Sequence, residues 1–379
     1  MKIAMIGQKG IPATFGGIEY HVQELSRALT ALGHDVRVYT RSWYSPPGSV
    51  GPPGVRTIRV PTIHTKHLDA AVHSALCAAH AAVGDADVLH FHALGPNLFA
   101  PIPRILGKKI VTTIHRLDWA AEKWGGPARQ VLKVGEILSA RIPHAGIVVS
   151  KDLRDFFFRK YGRMMTFIPQ GAFIPVLRPA KLIREKYGLC GKDYILFMGR
   201  LSPEKRVDWI LRAMNSLRAR EGGLKGVRLV IAGGTSATDS YVDGLKRIAA
   251  SHPDIVFTGN VMGAEKEELL TNALLFVLPS SLEGLPIVLM EARNYGLGCL
   301  ASDIPPHREV IRNEEDGLLF RAESFPDLAE KLAGLLQDRP RIEQLGSRAS
   351  KRMLENPSWR DVAARTVEIY RGVFRAGRL

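Results

Sequence analysis

Two glutamates eight residues apart, Glu283 and Glu291, stand in the segment Ser281-Leu-Glu-Gly-Leu-Pro-Ile-Val-Leu-Met-Glu-Ala292. The preceding Leu274-Leu-Phe-Val-Leu-Pro-Ser280 reads as a buried strand, which puts Glu283 in the loop at its carboxyl end. Pro286 suits the first position of a helix, where its missing N–H is no loss, and Glu291 lies more than a turn further on. One carboxylate thus stands beside a helix N-terminus, whose free N–H groups attract phosphate. The other sits deeper, at a distance suited to sugar hydroxyls. Amides for a diphosphate and acceptors for hydroxyls describe a site for a nucleotide sugar. On their own, the same two residues serve equally well as a solvated loop side chain and half of a surface ion pair.

A second strand-like run, Tyr194–Met198, leads directly into Gly199-Arg-Leu-Ser-Pro-Glu-Lys205. Gly199 permits a sharp turn, so Arg200 and Lys205 also stand at a strand's carboxyl end. Two cations there can neutralise charge building on a departing nucleoside diphosphate. Arginine does so through two N–H groups, lysine as a compact point charge. At the N-terminus, Gly7, Gly10, Gly16 and Gly17 make a loop with little side-chain bulk between the first strand and the first helix. Its amides can approach a ligand closely. The spacing is not G-x-G-x-x-G, and Thr40-Arg41 stand where a dinucleotide site needs an acid, which disfavours a nicotinamide enzyme.

His115 follows the run Lys109–Ile114, and His90 and His92 flank Phe91 at the end of another strand. Three histidines near one cleft suggest a metal centre, but no helix-spaced pair or carboxylate triad completes one. No metal is expected. Asp85-Ala-Asp87 mimics a cation-binding D-x-D, yet it precedes a strand, at the end of the sheet away from the cleft.

Taken together, the Glu-Gly-Leu-Pro segment with its second glutamate resembles the E-x7-E signature of family-4 retaining glycosyltransferases, which have the GT-B fold. Gly199-Arg200 with Lys205 is similar to that family's Gly-Arg…Lys element, and Gly16-Gly17 to the loop facing donor phosphates and acceptor. The motifs follow the family's order over nearly the whole chain. The resemblance implies α/β architecture with two facing Rossmann-like domains, each a doubly wound parallel sheet, and a C-terminal helix crossing back to the N-terminal domain. It further implies a nucleoside-diphosphate sugar donor, a hydroxyl acceptor, and no cofactor. Arg200 and Lys205 would stabilise the leaving diphosphate. Glu283 and the amides of Gly284 and Leu285 would hold the sugar, and Glu291 the nucleotide ribose. His115 would contact the transferred sugar. Gly16, Gly17, Gly199 and Pro286 would complete the donor wall, and front-face attack is the usual proposal for the class. The alternatives are a sugar-nucleotide 2-epimerase, a glycogen-phosphorylase relative with lysine-bound pyridoxal phosphate, and a catalytically silent nucleotide-sugar-binding subunit.

Positioning these residues falls to alternating elements. Strand runs at Lys2–Ile6, Asp35–Thr40, Arg56–Val60, Asp87–Phe91, Lys109–Ile114 and Gly146–Val149 alternate with helical patterns near Ile18–Leu32, Leu68–Val83, Ala128–Ala140 and Lys151–Tyr161. The pattern lapses around Pro175–Leu189. It restarts with strands at Tyr194–Met198, Arg228–Ala232, Ile255–Thr258, Leu274–Leu278 and Cys299–Ser302. Such alternation predicts parallel, doubly wound sheets. The expected domains are 1–178, completed by an amphipathic helix within 359–379, and 190–358.

At 379 residues, two domains are the default. The net charge of +15 is uneven, with +11 in residues 1–180 and +4 in the remainder. A basic half points to an anionic partner, and tilts the expected acceptor toward a lipid-linked or cell-envelope one. Basic residues gather at Arg104, Lys108 and Lys109, and in Lys151–Arg163, where aromatics are interleaved. That second stretch suits a bilayer interface, or equally a helix with Phe156 and Phe157 in the core. No nucleic-acid module is recognisable. No apolar run approaches the roughly 20 residues that span a bilayer. The N-terminus lacks a signal-peptide layout, and Cys77, Cys190 and Cys299 fit buried thiols. The expectation is a cytoplasmic protein, with peripheral contact at the inner face of an anionic membrane.

Overall fold

Runs such as Tyr194-Ile-Leu-Phe-Met198 are apolar at every position rather than alternately, the pattern of a strand covered on both faces. In the computed structural model all five of these residues are buried. The structure describes residues 1–375 apart from 15, 64, 66–67, 122–123, 173, 220–225, 235–238, 251 and 354. Phe15 of the glycine loop and the last four residues of 359–379 therefore lie outside the described residues. The chain divides into two compact units, Met1–Ala172 with Pro357–Leu379, and Phe173–Asn356.

The first unit holds strands β1 (Lys2–Ile6), β2 (Asp35–Arg41), β3 (Arg56–Val60), β4 (Val88–His92), β5 (Lys109–Ile114), β6 (Ala145–Val148) and β7 (Thr166–Phe167). Its helices include α1 (Gly17–Ala31), α2 (Leu68–Val83), α3 (Pro101–Ile105), α4 (Gly126–Arg141) and α5 (Lys151–Tyr161). The seven strands run parallel in the order β3-β2-β1-β4-β5-β6-β7. Strand order reverses between β1 and β4, which in such sheets opens a crevice at the carboxyl ends. The glycine loop, His92 and His115 all lie there.

The second unit holds β8 (Tyr194–Met198), β9 (Arg228–Ala232), β10 (Ile255–Gly259), β11 (Leu275–Leu278), β12 (Gly298–Ser302) and β13 (Leu318–Phe320). The order is β10-β9-β8-β11-β12-β13, again parallel. Helices α6 (Leu182–Tyr187), α7 (Val207–Arg218), α8 (Asp239–Ala249) and α9 (Gly263–Asn272) come first in the chain. They are followed by α10 (Ile287–Asn294), α11 (Pro305–Val310), α12 (Phe325–Gln337) and α13 (Arg339–Met353). Here the reversal lies between β8 and β11, the two strands that lead into Arg200 and Glu283. Helix α10 is anchored by Arg293, which is fully buried and ion-paired with Asp316 at 2.9 Å.

The chain returns to the first unit as α14 (Trp359–Arg375). Trp359, Val362, Ala363, Val367, Tyr370 and Val373 line one face at helical spacing. They share an apolar cluster with Val22, Leu25 and Leu29 of α1.

Several details depart from the pattern reading. Strands β7 and β13 span two and three residues, too few for periodicity to show. Pro286 stands just ahead of α10 rather than in its first turn. Cys190 is exposed, and not a buried thiol. Of the three phenylalanines in α5, Phe157 is in the core, Phe156 is half-buried and Phe158 is exposed.

Candidate active site

In the second unit the site is built on the carboxyl ends of β8, β11 and β12. The β8 strand leads into Gly199, and Gly233 after β9 packs against it so closely that a Cβ there would lie 1.8 Å from the Gly199 carbonyl oxygen. The turn is held by Leu201, whose N–H donates to the Gly234 carbonyl at 2.9 Å. Arg200 emerges half-buried from this turn. A single tight turn, Pro203–Lys205, then presents Lys205. Ser281 fastens this loop to the one after β11, its N–H donating to the Glu204 carbonyl at 2.8 Å.

Lys205 Nζ donates to Glu283 Oε1, and Ser280 Oγ donates to the same oxygen at 2.8 Å. Burial by itself pushes the Glu283 carboxyl upward. The Lys205 ammonium, His307 and the two hydrogen bonds outweigh it and hold the group below the usual carboxylate range. His307 is fully buried at the start of α11, with Nδ1 2.8 Å from the Ser302 carbonyl oxygen. Desolvation lowers it to about 4 against the pull of Glu283, so its ring is neutral at pH 7. Glu291, on the second turn of α10, accepts from Lys266 Nζ at 2.5 Å. Gly284 and Pro286 are buried and Leu285 is half-buried against the core. The structure thus brings together Lys205 and Glu283, from neighbouring strand ends. Ser280, His307 and Lys266 were missed by sequence reasoning. For His307 no signal existed, because a single histidine before a short helix has no pattern.

In the first unit, α1 begins at Gly17 with Gly16 as its N-cap at φ 102°. A Cβ on Gly16 would fall 1.9 Å from Glu19 Oε2, so only glycine fits. Glu19 is buried and accepts from the Lys9 N–H at 3.0 Å, which places a carboxylate inside the glycine loop itself. His115 is buried at the end of β5, its Nε2 3.2 Å from His92 Nδ1. His21 of α1 meets the His115 ring at a centroid distance of 4.8 Å. Its Nδ1 is 2.7 Å from Gln170 Oε1. Desolvation lowers His21 to about 4 and holds His92 and His115 well below the ordinary value. His90 is taken elsewhere, by Tyr370 and Thr113 at 2.6 and 2.7 Å. The trio near the glycine loop is therefore His21, His92 and His115. Asp85 of the D-x-D mimic is ion-paired with Lys2 and Arg37.

Residues 15–172 match the description Glycosyltransferase Family 4, and residues 180–352 match Glycosyl transferases group 1. The chain belongs to the family-4 glycosyltransferases. Its fold is GT-B, with two Rossmann-like domains of seven and six strands. Among curated relatives it is 26% identical to the alpha-maltose-1-phosphate synthase of Mycolicibacterium smegmatis, over 98% of this chain and 100% of that one. The sucrose-phosphate synthase of Thermosynechococcus elongatus superposes with TM-score 0.79 at 22% identity, covering 99% of both chains. Anabaena Alr3699/HepE, solved with UDP-glucose, gives TM-score 0.78 at 17% identity, covering 98% of this chain and 100% of that one. In this glycosyltransferase Glu283 and Glu291 both lie within the span matched as Glycosyl transferases group 1.

Proposed function

We propose that this glycosyltransferase moves a sugar from a nucleoside-diphosphate donor to a hydroxyl acceptor with retention at the anomeric carbon and without an essential divalent cation at the diphosphate. The observation that carries the reading is the Lys205–Glu283 ion pair across the ends of β8 and β11. A donor diphosphate competes with Glu283 for the Lys205 ammonium. Arg200, one turn before, supplies a second cation for the charge that develops as the bond to the leaving group breaks. Glu283, released from Lys205, offers its lone pairs to sugar hydroxyls. Glu291 serves the ribose, and Gly199, Gly284, Leu285 and Pro286 shape the donor wall. To His115, Gly16 and Gly17 of the first unit we assign the sugar- and donor-binding roles that the family resemblance implies. Because the cations are built in, a metal is not needed for the leaving group, and front-face attack uses the departing phosphate as the base.

The acceptor we favour is lipid-linked, with the first unit resting on an anionic membrane. That unit carries most of the net charge. Its α4 leaves Val131, Val134 and Ile137 about half exposed at 51%, 47% and 46%, beside the exposed Arg129 and Arg141. No helix among the described residues is long and apolar enough to cross a membrane.

The test is a melting-temperature screen of metal-free protein against UDP-, GDP-, dTDP- and ADP-sugars, with EDTA or with Mg2+. Donor at 100 times Kd adds roughly 2.7 kcal/mol to stability. A rise with one nucleotide, equal in both buffers, is expected. A rise that requires Mg2+ would overturn the metal-free reading, and no rise with any donor would overturn the donor assignment.

A further inference from the structure

The imidazoles of His21, His92 and His115 each bring one nitrogen into a group whose members all lie within 4.8 Å of one another. They come from three elements, α1 and the ends of β4 and β5, so no linear motif announces them. Zinc binds imidazole nitrogen at about 2.0–2.1 Å, which separates tetrahedral ligand atoms by roughly 3.4 Å. His92 Nδ1 and His115 Nε2 already stand at 3.2 Å. The third ring has at most roughly 1.4 Å to close. We propose that these three histidines form a binding site for a zinc-class divalent transition metal ion.

Two further features favour this assignment. Metal-bound histidines are usually fixed through their other ring nitrogen by a polar partner. Gln170 does this for His21: its Oε1 accepts from Nδ1 at 2.7 Å and leaves Nε2 with its lone pair. Gln170 is itself buried, so the orientation is held from inside the domain. Secondly, His92 is fully buried and its Nδ1 faces His115 Nε2, a pair of ring nitrogens at the spacing that one tetrahedral cation can bridge. An all-imidazole set selects Zn2+, Co2+ or Ni2+ over Mg2+ or Ca2+, which prefer oxygen. The ion is thus chemically distinct from any cation that would serve a diphosphate. Three protein ligands leave the fourth tetrahedral position open. His115 also faces the transferred sugar in the proposed function. On that reading alone, bound zinc withdraws its nitrogen and inhibits transfer.

The experiment is titration of the full, metal-free chain with Co2+, followed by visible absorption, then displacement by Zn2+. Tetrahedral d–d bands that saturate at one equivalent, and that Zn2+ abolishes, are expected. His21→Gln should remove the bands while the circular dichroism spectrum stays unchanged. Gln170→Ala should weaken Co2+ binding by about 10–100-fold, the effect typical of losing an outer-shell partner. Absence of tetrahedral bands in the unaltered protein at millimolar Co2+ would overturn the proposal, as would undiminished bands in His21→Gln. Neither readout depends on sugar transfer, so failure here and failure of the donor screen are separate results.

Discussion

The Lys205 ammonium and the Glu283 carboxylate, 78 positions apart in sequence, are ion-paired across two neighbouring strand ends. At side-chain exposures of 11% and 9% the pair is largely out of water. Each partner neutralises a charge that would otherwise be poorly solvated. The same lysine is the cation nearest in sequence to Arg200, so its allegiance divides between a resident carboxylate and an arriving phosphate.

Replacing either partner by alanine should therefore be felt in catalysis. Lys205→Ala and Glu283→Ala are each expected to lower turnover by at least about 100-fold, the scale of a lost transition-state contact. Single-turnover rates at saturating donor measure this. Near-normal rates for one variant would remove that residue from its assigned role.

Asp316 gives a stability prediction with a definite pH sign. Burial raises its carboxyl, but hydrogen bonds and charge from Arg293, with help from Arg352, leave it lowered overall. A group depressed in the folded state adds stability above its unfolded value, about 3.9, and loses it as pH falls through the folded value. The melting temperature should hold from about pH 7 to 5 and fall below about pH 4. Asp316→Ala strands a fully buried guanidinium and should cost about 3–5 kcal/mol at pH 7. Its further loss on acidification should be smaller than in the parent. An identical acid slope in both proteins would contradict the assignment.

Gly233→Ala tests how the Arg200 turn is held. With φ at 149° and the Gly199 carbonyl in the way, the methyl has nowhere to go. Stability should fall by about 1–3 kcal/mol. Turnover should drop as well, because Arg200 follows the displaced carbonyl. A variant with parental melting temperature and rate would show that the turn tolerates repositioning.

Much of this frame was legible in the sequence. Five-residue strands such as Lys2–Ile6, apolar and buried after its exposed first lysine, and Tyr194–Met198, apolar at every position, fall at their expected bounds, because a strand segment buried on both faces has to be apolar. Glu283 and Lys205 were readable as residues at strand ends, since a strand, a glycine and a turn residue fix where the next side chain emerges. Their mutual pairing was not readable, because it depends on β8 and β11 being neighbours while β9 and β10 lie between them in sequence. His21 was missed for a related reason. On α1 it looks like one more position of an amphipathic helix, and only sheet order brings it to His92 and His115. Lys266 likewise reaches Glu291 from another helix.

Membrane attachment is checked by sedimentation with vesicles rich in phosphatidylglycerol. The protein should pellet at low salt and be released as salt rises, because exposed charges are screened within about 8 Å at physiological ionic strength. Val131→Asp with Val134→Asp should abolish pelleting and leave the melting temperature nearly unchanged, since both side chains are half exposed. Pelleting equal to that of the parent would exclude α4 as the contact.

Helix α14 carries Tyr370, which holds His90, and Trp359, which lies against His21, yet the whole second unit separates it in sequence from the sheet it completes. Domains generally fold in the order in which they leave the ribosome. Here the earlier-made unit stays unfinished, with the apolar stripe of α1 uncovered, until the later-made unit has been fully synthesised. The second unit has its elements in one continuous stretch of chain; the first depends on a helix made after that stretch. Arrested or prematurely terminated chains therefore expose the α1 face, which makes that stripe the natural target for chaperones and for proteolytic surveillance.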